Sequence, residues 1–295
     1  MSTFRCGTIA IVGRPNTGKS TLLNRLVGEK LSIVSPKAQT TRHVVTGILS
    51  EPEYQFVFLD APGLQARERE TVHRMLNRRA LEVLRSSDIV VFVVEAGRFG
   101  AEDRMVLGHI PRERQTVAVV NKVDRLRQKS ELLPFIERLA REREFHAIVP
   151  LSARTGKNIP ELLRVLRAAL PVAPRMFPPE QVTDRDERFF AAELLREKLF
   201  QQLGEELPYR CEVLVESFRE EGKLRRIEAA ILVDKESQKG IVVGAKGARL
   251  KRIAEAARKD MERLFGGKVF LGVWVKVRRG WSDNERVLRQ LGYGN

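Results

Sequence analysis

Several features that would place this 295-residue chain in another class of protein are scarce or missing. Its two cysteines, Cys6 and Cys211, are too few and too far apart for a disulfide framework or a cysteine-based metal cluster. Its longest apolar run, near residues 89–94, is far shorter than the roughly 20 residues that cross a bilayer. No pattern of a secretory signal opens the chain. We therefore expect a cytoplasmic protein with buried free thiols and no transmembrane segment.

What is present is a globular composition with an excess of positive charge. Hydrophobic residues make up 43% of the chain and charged residues 31%, which is too apolar for wholesale disorder. The length exceeds what one hydrophobic core usually serves and predicts about two domains. The net charge of +15 indicates a polyanionic partner. Residues 238–279 hold 12 Lys and Arg against 3 Asp and Glu, so the second half carries a dense basic segment.

The order of predicted elements separates the chain into two domains. Apolar, β-branched runs at residues 7–12, 55–59, 88–94, 116–120 and 147–151 alternate with helix-length segments, which predicts a mostly parallel sheet with helices on both faces. We assign this α/β domain to residues 1–172. Four prolines within residues 171–179 cannot continue a helix and predict a stiff extended linker over residues 173–185.

Residues 186–295 predict a smaller α+β domain. A helical face over residues 186–203 is followed by a hairpin of strands 209–218 and 224–233. A short helix ending at Gly244, a helix over residues 248–264 and a strand over 268–277 complete the order α-β-β-α-α-β. A tail helix, opened by Ser282 or Asp283 as its cap, ends the chain near Gly292.

A glycine-rich motif, G-x-x-x-x-G-K-S, stands at the first strand-to-helix junction. Its two glycines allow consecutive backbone N–H groups to face phosphate oxygens, and the helix adds the positive end of its dipole. The lysine neutralises β- and γ-phosphates and the serine hydroxyl binds magnesium. The predicted phosphate-binding residues are Gly13, Arg14, Pro15, Asn16, Thr17, Gly18, Lys19, Ser20 and Thr21.

A second motif, Asn-Lys-x-Asp, follows a later strand and selects the base. Asp124 accepts from the N1–H and the exocyclic amino group of guanine, which adenine does not offer. Lys122 lies over the ring, and Asn121 tethers the loops. Ser152 and Ala153, after the last strand, supply a backbone N–H to guanine O6. The sequence therefore predicts a guanine-nucleotide site.

Two segments between these motifs predict nucleotide-sensing switches. In the segment Asp60-Ala61-Pro62-Gly63, the aspartate holds magnesium through water and the glycine N–H bonds the γ-phosphate. One threonine of the Thr40-Thr41 pair completes the magnesium shell; we favour Thr41, and Thr40 is the alternative. The predicted metal-binding residues are Ser20, Thr41 and Asp60.

A G-x-x-G turn lies inside the basic segment, between two predicted helices. Such a turn brings backbone N–H groups and a helix N-terminus against a nucleic-acid backbone, and KH domains use it to clamp about four nucleotides. The alternative is a helix-capping glycine followed by a second turn glycine. The flanking apolar and basic residues and the α-β-β-α-α-β order favour RNA binding by Ile241, Val242, Gly244, Ala245, Lys246, Gly247, Arg249, Lys251 and Arg252.

These motifs together resemble the translation-factor-related GTPases, and residues 37–43 with 60–63 resemble the Era family in particular. The resemblance covers essentially the whole chain. It implies a P-loop GTPase domain, a type II KH domain, GTP or GDP with Mg²⁺ as ligands, and binding to the 3′ end of the 16S rRNA during assembly of the 30S ribosomal subunit. We also expect a monomer.

The residue after the D-x-x-G motif is Leu64, where Ras-like proteins place a water-orienting glutamine. Slow intrinsic hydrolysis is therefore expected. Related GTPases with a hydrophobic residue at this position use an asparagine like Asn16 to hold K⁺ against the phosphates; the alternative is that Asn16 only fixes the loop turn. The predicted catalytic residues are Lys19, Thr41, Gly63 and Asn16.

Two other functions remain open from the residues alone. The positive first domain suits a signalling GTPase that associates peripherally with the inner face of the cell membrane, although no lipidation motif supports it. Leu64 also suits an RNA adaptor that senses nucleotide without turnover.

Overall fold

The computed structural model describes residues 4–35, 37, 40–64, 70–204 and 206–293. These residues fall into two compact units. The first holds residues 4–32, 41–64 and 73–184, and the second holds the remainder. Ala38 and Gln39, which belong to the motif at residues 37–43, lie outside the described residues.

The first unit is built on a six-stranded sheet with strand order β2-β3-β1-β4-β5-β6. The strands are β1 (Arg5–Val12), β2 (Val45–Ser50), β3 (Tyr54–Asp60), β4 (Ile89–Glu95), β5 (Gln115–Asn121) and β6 (Ala147–Pro150). The helices are α1 (Lys19–Val27), α2 (Thr71–Ser86), α3 (Ala101–His109), α4 (Leu132–Glu142) and α5 (Ile159–Ala169). The predicted mostly parallel α/β sheet is confirmed. The pairing of β2 with β3 is antiparallel, and the other pairings in this sheet are parallel.

Helices bury both faces of this sheet, which explains its continuous apolar strands. On one face, Val90, Phe92 and Val94 of β4 pack in a buried cluster with Leu84 of α2 and Val106 of α3. Buried leucines of α1 and α5 belong to the same unit. Because β1, β3, β4 and β5 run parallel, their carboxyl ends lie along the same edge of the sheet. Open α/β sheets bind ligands at this edge.

The sequence analysis missed β2. This edge strand contains Gly47, where a Cβ would lie 2.7 Å from side-chain atoms of both Leu23 and Val27 of α1. The glycine lets the helix pack closely on the strand, but it also weakens the strand pattern in the sequence.

The proline-rich segment predicted as a linker is bound to the first unit. The backbone N–H groups of Met176 and Phe177 donate to Gln55 Oε1 at 2.9 and 3.0 Å. Further along, Ile48 N donates to Val182 O at 2.8 Å. Prolines fix the extended path, and several of the remaining N–H and C=O groups pair with residues of β2 and β3.

The second unit has the predicted order α-β-β-α-α-β. Its elements are α6 (Glu187–Gln202), β7 (Glu212–Glu221), β8 (Leu224–Val233), α7 (Glu236–Val243), α8 (Ala248–Phe265), β9 (Lys268–Val277) and a tail helix α9 (Glu285–Gln290). Strand β8 is central, antiparallel to β7 and parallel to β9. The predicted cap of the tail helix was wrong: Trp281–Asp283 form a 3-10 turn, and Asn284 Oδ1 accepts from Val287 N at 3.2 Å.

One face of α6 buries charged side chains against Val34 and Thr40. Glu193, Arg196 and Glu197 are at most 3% exposed. Arg196 donates to Thr40 O at 2.5 Å, Glu197 accepts from Val34 N at 3.1 Å, and Lys37 donates to the carbonyl of Leu203. Buried charges need such partners because unpaired ones are costly. Residues 33–40 thus belong to the second unit, which their position in the sequence did not predict.

Within the described residues, none of the helices is both long and apolar enough to pass through a bilayer.

Candidate functional site

The phosphate loop connects the end of β1 to the start of α1. A Cβ at Gly13 would collide with the backbone carbonyl of Val93, and one at Gly18 would collide with the side-chain amide of Asn121. Gly18 also has φ 99°, in the left-handed region. Only glycine fits at these two points because the loop passes directly against the ends of neighbouring strands.

Lys19 lies across this loop. Its side chain is nearly buried, and Nζ donates to the carbonyl oxygens of Gly13 at 3.0 Å and Arg14 at 3.1 Å. Burial lowers the pKa of Lys19 to about 8, partly offset by the charge of Asp60. A Cβ built at Gly63 would lie 3.5 Å from Lys19 Nζ, so the segment after β3 passes beside the ammonium group. The loop and this segment can therefore contact the same phosphate.

Three oxygen-bearing side chains meet next to Lys19. Ser20 Oγ donates to Asp60 Oδ2 at 2.7 Å and lies 3.0 Å from Thr41 Oγ1. Asp60 is fully buried, and burial raises the pKa of its carboxyl. Its Oδ1 is also buried and has no hydrogen-bond partner among the described residues. Hard oxygen ligands and an unused buried carboxylate oxygen fit Mg²⁺.

The structure distinguishes the two threonines considered for the metal. Thr41 Oγ1 faces Ser20, whereas Thr40 Oγ1 donates to Lys37 O at 2.9 Å. The sequence analysis missed Ser32, whose Oγ donates to Asp60 Oδ2 at 2.9 Å. No motif marks Ser32, because only the fold brings the segment after α1 against the end of β3.

Asn121, at the end of β5, joins three loops. Its Nδ2 donates to Thr17 O of the phosphate loop at 2.8 Å. Its Oδ1 accepts from Lys122 N at 2.7 Å and from Ala153 N at 3.0 Å. Lys122 has φ 65°, and its Nζ donates to Asn16 O at 2.6 Å. These bonds align the base motif with the phosphate loop.

The carboxylate of Asp124 lies beside the loop after β6. It accepts from Ser152 Oγ at 2.6 Å and from the exposed Arg154 at 2.9 Å. The hydrogen bond from Ser152 lowers the pKa of Asp124 and keeps it ionised. The contact with Arg154 shows that this carboxylate can accept N–H donors, which is the kind of group that guanine presents.

The predicted donors to guanine O6 already have acceptors inside the protein. Ser152 N donates to Lys157 O at 3.1 Å, and Ala153 N donates to Asn121 Oδ1 at 3.0 Å. A bond to O6 therefore requires one of these N–H groups to be shared.

Leu64 and Asn16 bear on hydrolysis. Leu64 is 5% exposed and packs in the apolar cluster of the first unit, so its side chain cannot contact an attacking water. Asn16 has φ 64°, a conformation that asparagine tolerates better than most residues. Its backbone favours the turn-fixing role, while its exposed position also permits contact with an ion.

The G-x-x-G turn joins α7 to α8 in the second unit. Gly244, Lys246 and Gly247 all have positive φ, at 71°, 47° and 78°. A Cβ at Gly244 would approach Arg249 Cβ to 2.8 Å, so the turn packs closely on the first turn of α8. Arg249 donates back to Ile241 O at 2.6 Å. The N-terminus of α8 is thereby presented beside the turn.

Most of the predicted RNA-binding side chains are accessible. Ile241 is 50% exposed, and Lys246, Lys251 and Arg252 are exposed. Val242 differs because it is fully buried in the core of its unit. Only its backbone can contact RNA. An exposed apolar residue beside several cations suits stacked bases and a phosphate backbone.

The folds of the two units and these arrangements define a class, a P-loop GTPase with a C-terminal KH domain. A family model described as 50S ribosome-binding GTPase matches residues 8–122, and a KH domain model matches residues 206–282. The chain is 50% identical over 292 residues to the GTPase Era of Nitrosomonas eutropha, covering 99% of each chain. It is 52% identical over 291 residues to the GTPase Era of Neisseria meningitidis, covering 98% of this chain and 95% of that one. This chain belongs to the Era family of GTPases.

Two solved structures extend this similarity over the whole chain. An Aquifex aeolicus Era variant bound to GDP and AlF₄⁻ has a TM-score of 0.95 and 34% identity, covering 99% of this chain and 100% of that one. Era in complex with MgGDPNP and nucleotides 1506–1542 of 16S ribosomal RNA has a TM-score of 0.94 and 35% identity, with the same coverage. The predicted family, both fold classes and GTPase activity are thereby confirmed.

Proposed function

We propose that this GTPase binds GTP with Mg²⁺, hydrolyses it slowly, and binds single-stranded RNA at the 3′ end of the 16S rRNA during assembly of the small ribosomal subunit. The observation that carries the nucleotide part is the meeting of Ser20, Thr41 and Asp60 oxygens beside Lys19. Bound Mg²⁺ would neutralise charge on the β- and γ-phosphates.

The protein groups divide the work of nucleotide binding. Lys19 and the backbone N–H groups of residues 13–21 hold the phosphates. The N–H of Gly63 bonds the γ-phosphate and so reports its presence. Asp124 reads the guanine N1–H and amino group, because an unpaired carboxylate would make another base costly. Ser20, Thr41 and Asp60 supply the metal ligands, Asp60 through water.

The RNA part rests on the exposed G-x-x-G turn and on a related structure. The turn residues and α8 cations lie in a segment with 12 basic against 3 acidic residues. A related Era at 35% identity was solved with a fragment of 16S rRNA. We therefore assign the clamp to residues 241–252, with the turn backbone holding phosphates and Ile241 contacting a base.

A single-turnover assay with radiolabelled GTP, with and without a 16S 3′-end oligonucleotide, tests this function. Phosphate release is expected in both conditions. An RNA of equal length and scrambled sequence serves as the control for specificity. If GTP binds but is never hydrolysed, the protein is a nucleotide-sensing adaptor and the proposal is wrong. Crosslinking in cell extract, followed by sequencing of the RNA retained by the GTP-bound form, tests the rRNA target.

Asn16 is the residue we assign to a K⁺ ion that would substitute for the missing water-orienting group. Such an ion stabilises charge that develops on the phosphates in the transition state. Turnover in K⁺ is then faster than in Na⁺ at equal ionic strength, and Asn16→Ala loses that difference. Equal rates in the two salts would contradict a role for K⁺. A K⁺ response that survives in Asn16→Ala would show that Asn16 is not the ligand of the ion.

We expect a cytoplasmic monomer and retain peripheral membrane association as an alternative for the basic protein. Sedimentation with vesicles containing anionic lipid distinguishes the two. Binding at low salt that is lost in 0.5 M salt, roughly five times the ionic strength at which the Debye length is about 10 Å, would support electrostatic association with the membrane, and absence of binding at low salt would contradict it.

A further inference from the structure

A network of partly buried ion pairs links the base motif to the phosphate loop. Glu95, the last residue of β4, stands opposite Asn121 in the register with β5. Its Oε2 lies 3.2 Å from Arg14 NH2 and 3.0 Å from Lys122 Nζ. Lys122 Nζ in turn donates to Asn16 O at 2.6 Å. One carboxylate oxygen therefore joins a cation of the phosphate loop to the cation of the guanine motif.

At the other end of this network, Arg14 is held by a residue of α3. The Nε of Arg14 lies 3.2 Å from Asp103, which also accepts from Gly100 N at 3.0 Å in the first turn of α3. The side chains of Arg14 and Asp103 are 8% and 2% exposed, and that of Glu95 is 20% exposed. The Arg14–Asp103 pair is therefore screened little by salt and fixes the position of Arg14, whereas the contacts of Glu95 are partly open to solvent.

Glu95 also reduces the repulsion between neighbouring cations. Arg14 and Lys122 both lie beside Glu95, and the charge of Arg14 contributes to the lowered pKa of Lys19. Burial raises the pKa of Glu95, but its contacts with Lys122 and Arg14 outweigh burial and lower it. Glu95 is therefore ionised at neutral pH. Without its negative charge, two cations would face each other at the edge of the nucleotide site.

We propose that Glu95 is a positioning residue for nucleotide binding: it holds Lys122 against the phosphate loop and neutralises Arg14, so that the base and phosphate sites stay aligned. This inference rests on the proposed nucleotide site. Because Glu95 contacts Arg14 and Lys122 and not Gly63, we expect loss of its charge to weaken GDP and GTP binding by similar factors. Its expected effect is on the affinity for both nucleotides.

Glu95→Gln tests the proposal because it removes the charge and keeps the size. The release rate of a fluorescent GDP analogue rises on the order of tenfold, the scale of losing a charge-assisted contact. A non-hydrolysable GTP analogue loses affinity by the same factor. The matched control is Glu142→Gln, which removes an exposed ion pair with Arg104 in the same unit and leaves release unchanged.

A double-mutant cycle with Lys122→Met separates positioning from a general loss of fold. If Glu95 acts through Lys122, Glu95→Gln adds little to the loss already caused by Lys122→Met. Additive losses, or unchanged GDP release in Glu95→Gln, overturn the inference. Wild-type protein that fails to bind guanine nucleotides would instead refute the proposed nucleotide site, so the two failures are distinguishable.

Discussion

The nucleotide site and the RNA turn handle charge in opposite ways. At the nucleotide site, Lys19 is 7% exposed and Asp60 is 0% exposed, and both have fixed partners inside the protein. At the RNA turn, Lys246 and Lys251 are exposed to solvent. Buried charges interact strongly and resist screening, whereas exposed ones act weakly and additively. The nucleotide site should therefore fail with one substitution, and RNA binding should decline in steps.

The largest effect is expected from Lys19→Ala. Removing the buried ammonium leaves the phosphates without their main countercharge, and affinity for GDP and GTP falls at least about a hundredfold, the scale of a lost charge-assisted hydrogen bond. RNA affinity stays within about twofold. Isothermal titration with nucleotide, and filter binding with RNA, measure the two. Lys129→Ala, which removes an exposed cation from the same unit, serves as the control. Loss of both activities in Lys19→Ala would contradict the separation of the two sites.

An intermediate effect is expected from Lys246→Glu combined with Arg249→Glu. In a plot of log affinity against log salt concentration, each lost phosphate contact makes the slope shallower by roughly 0.7. The RNA affinity of the double variant falls about ten- to hundredfold. The change in Arg249 also removes its bond to Ile241 O. Fluorescence anisotropy at several salt concentrations measures both quantities.

The matched control reverses Arg263 and Lys268, which are exposed cations near the far end of α8. It gives the chain the same net charge and leaves the turn intact. If this control weakens RNA binding as much as the turn variant does, overall charge and not the turn is responsible.

The smallest effect is a pH dependence of GDP affinity. The pKa of Lys19 is about 8 in the folded protein and 10.5 in a free lysine, so its proton is lost as the pH rises through 8. Affinity is then constant below pH 8 and falls by at most about tenfold per unit above it. Because the pKa of Lys19 is lower in the folded than in the unfolded protein, loss of its proton makes the folded state relatively more stable as the pH rises. Unfolding caused by Lys19 therefore does not explain the decline in GDP affinity. Constant affinity up to pH 9.5 would contradict the role of Lys19.

Much of the fold and the site could be predicted because local chemistry specifies it. The phosphate loop needs glycines at the points where its backbone turns, and the strands of a doubly covered sheet need continuous apolar residues. These requirements leave recognisable spacings in the sequence. The same holds for the order of elements around the G-x-x-G turn.

Other features left no readable pattern. Edge strand β2 was missed because Gly47, which α1 requires for close packing, weakens the strand pattern. The cap of the tail helix was misplaced because Ser282, Asp283 and Asn284 are all good caps, and the buried turn at Trp281 selects the last of them.

The sequence by itself determined the two domain folds, the guanine-nucleotide motifs and the position of the RNA turn, because each depends on residues that are near one another in the chain. Only the tertiary structure decided that Ser32 bonds Asp60, that Glu95 joins Arg14 to Lys122, and that Val34 and Thr40 bond the buried charges of α6. These contacts join segments distant in sequence. Their physical origin is the cost of burying charge without a partner, and the fold alone determines which partner is within reach.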